Sequence, residues 1–218
     1  MAVRAPVASP RRNRVTPTGD IEALALRCAW TGNRGILHSG SGEIVRLHAH
    51  PHWLTCTLQY KGLRREQWLP HRLTWLFFHD EAVSLAAGHR PCALCRRDGY
   101  NAYRAAWAEG LGEPPPSAEA LDRQLHAERL VRGTRRRRIH SVAWQELPAG
   151  AFVLTGEGAP AIVLDECLVT WTHLGYGQRL PRPVRGSAPT LTPPASLAVL
   201  RAGYPVQIDD GARAAADG

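Results

Sequence analysis

Two thiols three residues apart, Cys92 and Cys95, are the side chains of this chain best placed to do chemistry. A Cys-x-x-Cys turn lets two sulfurs approach one tetrahedral metal ion from a single loop. In a reducing compartment such a pair reads as metal-binding or redox-active before it reads as a structural disulfide. Two ligands do not complete a tetrahedral site. Cys56 is the nearest upstream thiol, and it and His52, four residues before it, are the candidates for the other two positions, with Zn2+ as the expected cofactor. Cys56 also has a plainer reading. It falls with Leu54, Leu58 and Tyr60 on one face of an alternating stretch, where a free cysteine serves as a small core residue.

A second group lies downstream. Leu121 and Leu125 mark the inward face of a helix, and the next step along that face reaches Glu128 instead of an apolar residue. A carboxylate there is costly unless paired or ligated. His126 lies one turn after Asp122, which could orient its imidazole. Glu128 and His126 are therefore the candidate catalytic residues if the metal is hydrolytic, since an open zinc site needs a nearby general base. The plainer reading puts Glu128 in solvent at a frayed helix end. His38, His48 and His50 are further ligand candidates, and His48, His50 and His52 would share one face of a strand. A third reading treats Cys92 and Cys95 as a redox or alkyl-accepting pair, its thiolate favoured by Arg90, Arg96 and Arg97.

The net charge of +8 invites a nucleic-acid partner. Lys61 is the only lysine, a bias that a GC-rich genome produces without regard to function. Two dense basic clusters remain: Arg11, Arg12 and Arg14, and Arg132 with Arg135, Arg136, Arg137 and Arg138. The last four are the candidate contacts to DNA or RNA, through phosphates and without base reading; a solvated, flexible face is the alternative. No second Cys-x-x-Cys, no C2H2 spacing and no RNP aromatic pair is present. The leading expectation is a zinc-binding protein that associates with nucleic acid.

The elements that position the thiols are legible nearby. Asp80 suits an N-cap, Glu81 the first turn, Gly88 a left-handed stop, and Pro91 prevents the helix from restarting. The segment Ala86-Ala87-Gly88-His89-Arg90-Pro91-Cys92-Ala93-Leu94-Cys95 resembles the C-terminal half of the zinc-binding domain of the Ada DNA-repair protein. The resemblance implies a metal knuckle supplying two thiolates. That family takes its other two ligands from an upstream Cys-x-x-x-Cys, whose nearest equivalent here is His52-x-x-x-Cys56. Over most of its length the chain also resembles a group of bacterial proteins, through Gly32-Asn33-Arg34-Gly35, Leu125-His126-Ala127-Glu128-Arg129 and Ala202-Gly203-Tyr204, which implies one integrated fold and brings no activity with it.

Length and pattern predict an α+β protein, mostly antiparallel, with a zinc-knuckle helix segment and a β-rich C-terminal part. The expected organisation is a disordered basic arm over 1–20, a metal-knuckle region over 21–112, a helix and β-rich region packed on it over 113–208, and a disordered tail over 209–218. Tyr100, Tyr103 and Trp107 recur on one helix face and read as core. Glu113-Pro114-Pro115-Pro116 marks the internal boundary. An odd cysteine count, no apolar run near the ~20 residues of a membrane span, and no signal-peptide pattern point to the bacterial cytoplasm.

Overall fold

The computed structural model describes residues 10–62 and 66–217. It is an α+β fold built on two six-stranded sheets and five α-helices among the described residues. The first sheet holds β1 (Arg14–Val15), β2 (Ile21–Glu22), β3 (Trp30–Asn33), β4 (Leu54–Cys56), β5 (Leu76–Phe78) and β6 (Arg90–Pro91), in the order β2-β1-β5-β3-β4-β6. The second is antiparallel throughout. It holds β7 (His140–Ala143), β8 (Phe152–Leu154), β9 (Pro160–Val163), β10 (Cys167–Thr172), β11 (Gly175–Pro181) and β12 (Ser187–Thr190), in the order β11-β10-β9-β8-β12-β7. The helices are α1 (Glu81–Ala86), α2 (Arg97–Leu111), α3 (Ala118–Arg129), α4 (Pro194–Arg201) and α5 (Asp210–Asp217).

Helix α1 forms where local chemistry requires it. The Asp80 carboxylate accepts from the Val83 amide at 2.8 Å, and Gly88 ends the helix at φ +86°. A Cβ at Gly88 would also stand 2.7 Å from Cδ of Arg129, so both conformation and space exclude a side chain there. Gly32 in β3 is required for a different reason: a Cβ would lie 2.3 Å from the Phe78 ring on the neighbouring strand.

Two apolar cores join the layers. One gathers Leu85, Tyr103, Trp107, Leu121 and Leu125 with Val153, Val163 and Val199; the other gathers Val15, Leu76 and Phe78 with Phe152, Ile162 and Trp171. Each draws residues from both sides of the Pro114-Pro115-Pro116 run, which is a loop within one packed body. The two ends also differ from expectation. In the described part of the basic arm, Arg14 and Val15 form a strand and Asn13, Val15 and Thr16 are buried; residues 1–9 lie outside the described residues. Residues 210–217 form α5, seated through buried Ala212 against β10 and β11. Both ends are held by single buried apolar anchors in one core, Val15 and Ala212, a signal too short to read from the sequence. No described helix is long and apolar enough to cross a membrane.

Candidate metal centre

Strand register brings the thiols together. β4 and β6 run parallel, with Leu54 beside Arg90 and Thr55 beside Pro91, and the Cys92 amide donates to the Thr55 carbonyl at 3.0 Å. Cys56, at the end of β4, is thereby set next to Cys92. The chain then turns: the Arg96 amide donates to the Cys92 carbonyl at 3.1 Å, and the Leu94 amide points at Cys92 Sγ at 3.4 Å. The sulfurs of Cys56, Cys92 and Cys95 all lie within 4.8 Å of one another. Tetrahedral zinc with Zn–S bonds of about 2.3 Å sets sulfurs about 3.8 Å apart, so the cluster suits one such ion with little movement. Cys92 is buried, whereas Cys56 and Cys95 are half-buried.

The electrostatics single out one sulfur. Thiols of Cys56 and Cys95 and the amides of Cys95 and Leu94 donate to Cys92, pulling it far below the usual thiol range despite burial. Cys56, held against Cys92 first and Cys95 next, and then by its burial, is pushed well above that range. A sulfur so favoured as the thiolate, with two further sulfurs beside it, suits a thiophilic cation.

Two of the flanking arginines, Arg90 and Arg96, are neutralised by carboxylates, whereas Arg97 is exposed. Arg90 grips Asp122 through two bonds, Nε to Oδ1 at 2.9 Å and Nη2 to Oδ2 at 2.7 Å, and both side chains are buried. Arg96 meets Glu81 at 2.7 Å and stacks its guanidinium 3.9 Å from the Trp30 ring centroid. Glu81 also accepts from the Tyr204 hydroxyl at 2.7 Å and the Gln207 amide at 3.2 Å. The knuckle is thus braced on one side to α3 and on the other to α1 and the segment after α4. Thr55 donates to Ser84 at 2.9 Å, tying β4 to α1 directly.

His52 does not join the sulfurs. Its Nδ1 lies 2.7 Å from Asp122 Oδ2: residues 48–52 do not form the expected strand but bend at 49–51, and the buried carboxylate captures the ring. Among the described residues no imidazole or carboxylate completes the three-sulfur group. Asp122, expected to orient His126, instead serves Arg90 and His52. Glu128 lies outside the thiol group and meets α4: its Oε2 accepts from the Ala195 amide at 3.0 Å at the start of that helix, and its Oε1 from Gln124 at 3.1 Å. His126 sits with Nδ1 3.1 Å from Arg129 Nη2 and its ring edge-on to His48, outside the thiol group.

The Arg cluster divides. Arg135, Arg136 and Arg138 are exposed, and among the described residues no carboxylate pairs with them. Arg137 turns inward, donating to the carbonyls of Ala86, Ala87 and Leu191. It is therefore withdrawn from the phosphate-contacting set, because the C-terminal carbonyls of α1 need donors. Arg129 does the same for Gly88 at 2.7 Å and for Pro51, and Arg34 donates to Gly19 at 2.9 Å and to His89 Nε2 at 3.1 Å. The guanidinium carbons of Arg34 and Arg129 lie 3.8 and 4.0 Å from the Trp53 ring centroid. Sequence reasoning missed this nest. The available signal was Gly88: a helix that stops in the protein interior leaves carbonyls that must find distant donors.

No protein-family model, no curated protein and no solved structure matches this chain.

Proposed function

We propose that Cys56, Cys92 and Cys95 bind one Zn2+ and that the protein so braced associates with nucleic-acid phosphates through exposed arginines. The observation that carries the metal is the convergence of three sulfurs from two paired strands, with backbone amides directed at Cys92. Zinc would cross-link β4 to the knuckle, and with three protein ligands it would keep a position for a further donor. The Ada-like form of the Cys92-to-Cys95 turn agrees with this reading. The phosphate-binding part rests on Arg132, Arg135, Arg136 and Arg138, all exposed and unpaired with carboxylates among the described residues. Non-specific strand binding needs little more than such a surface. A hydrolytic reading through Glu128 and His126 loses its support, since Glu128 is committed to α4.

Two measurements test the proposal. Mass spectrometry of the untagged protein should find one zinc per chain, lost in Cys92→Ser and Cys56→Ser and kept in His52→Ala. A metal-free wild type would sink the zinc assignment. Binding of single- and double-stranded DNA should weaken steeply with salt and fall when Arg135, Arg136 and Arg138 are replaced together. Unchanged binding in that variant would remove the arginines from the account.

A further inference from the structure

A concavity of about 570 Å3 lies where the C-terminal half of α3 meets the 131–138 loop. Its lining includes Arg123, Arg132 and Arg138, together with His48 and His126, and no carboxylate. The three arginines are exposed, and none is ion-paired among the described residues. Directly behind them lies more positive charge. Arg129 is fully buried, contacts His126 at 3.1 Å, and leaves its Nε without a partner. The imidazoles register this field: burial first, then neighbouring cations, push His48 down to about 4, and His126 is lowered for the same reasons.

We infer that this concavity is a seat for an organic phosphate, its phosphate group held among Arg123, Arg132 and Arg138. Guanidinium forks match phosphate oxygens, and a phosphomonoester offers three acceptor oxygens with nearly two negative charges. The volume falls in the range of about 300–1,000 Å3 typical of small-molecule sites and exceeds what inorganic phosphate fills. Ala127, Leu130 and Val131 give the remainder an apolar wall for the carbon part of the ligand. This goes beyond strand association, for which a convex basic surface suffices. The ligand chemistry has two sources: a free sugar phosphate, or the phosphorylated end of a nucleic-acid strand.

The test uses the whole chain at constant ionic strength, following arginine side-chain Nε–Hε signals by NMR. Inorganic phosphate, ribose 5-phosphate, and one oligonucleotide with and without a 5′-phosphate are the probes. Saturable shifts are expected, with an organic phosphate binding more tightly than inorganic phosphate. Arg132→Ala with Arg138→Ala should weaken it at least tenfold, while Arg185→Ala, exposed elsewhere, should leave it unchanged. Preference for ribose 5-phosphate with no discrimination between the oligonucleotides assigns the free molecule; preference for the 5′-phosphorylated strand assigns the strand end. Shifts reproduced by chloride, binding that survives the double variant, or no gain over inorganic phosphate would each overturn the inference. Arg135→Ala with Arg136→Ala, outside the concavity, is expected to weaken strand association alone, which separates this seat from the reading above.

Discussion

The thiol knuckle and the arginine nest share the segment 88–92 and solve opposite electrostatic problems. At the knuckle, each buried guanidinium has its own carboxylate, Arg90 with Asp122 and Arg96 with Glu81, so these two charges are balanced within the protein. In the nest, Arg34, Arg129 and Arg137 meet backbone carbonyls and two imidazoles, with no carboxylate in contact among the described residues. Burial and mutual repulsion lower the affinity of Arg34 and Arg129 for their protons, and burial lowers that of Arg137. The knuckle is balanced for a cation from outside the chain; the nest carries surplus positive charge toward the concavity beside it. Charge pairing, more than residue type, separates the two regions.

The largest expected effect comes from metal. Chelation of the loaded protein, or Cys92→Ser, should lower Tm by about 10 °C or more, since a zinc cross-link worth several kcal/mol is lost and each kcal/mol moves a chain of this size by roughly 2–4 °C. Cys28→Ser, whose thiol lies outside the cluster, should keep the metal. A Tm indifferent to chelation would make the cluster a packing feature. Next comes the contrast between the two kinds of arginine. Asp122→Ala leaves Arg90 buried without its carboxylate and should cost about 3–5 kcal/mol in chemical denaturation. Arg129→Met strands the carbonyls of Gly88 and Pro51 but relieves repulsion, and should cost less, about 1–3 kcal/mol. Equal costs would erase the distinction. Glu128→Gln weakens the N-terminal contact of α4 by about 1 kcal/mol and should leave metal content unchanged.

Parts of this arrangement were open to sequence reasoning because they are local. Asp80 and Gly88 bound α1 through turn-scale chemistry, the Tyr100, Tyr103 and Trp107 face is core, and the Cys92/Cys95 turn follows from spacing. Cys56 was reachable only as the nearest thiol; its placement depends on a parallel pairing between strands 36 residues apart, which no local pattern encodes. His52 failed because a buried carboxylate on α3 competes for it, and Glu128 because its partner, the amide of Ala195, belongs to a helix far along the chain. Arg137 shows the limit most plainly. Nothing in a run of four arginines tells which one turns inward.

The last contrast concerns His89, which is fully buried within the arginine nest and accepts from Arg34 through Nε2. Burial, then the charges of Arg34, Arg129 and Arg137, hold its affinity for a proton well below the ordinary value of 6.5. The folded form therefore keeps His89 neutral while the unfolded chain takes up a proton near pH 6.5. Its contribution to stability is fully present above that pH and is lost as pH falls below it, at up to about 1.4 kcal/mol per pH unit. In His89→Gln, which retains an acceptor for Arg34, that loss disappears. The variant is less stable at pH 7.5, because ring contacts with Trp53 and Phe78 are gone, but the gap should narrow steadily from pH 6.5 to 5. Contributions from His48, His50 and His126, also lowered, cancel in the difference. Urea unfolding of both proteins across that range measures it. Parallel curves would mean the nest accepts a fourth positive charge without cost, and its surplus would then be too weak to draw an anion to the concavity.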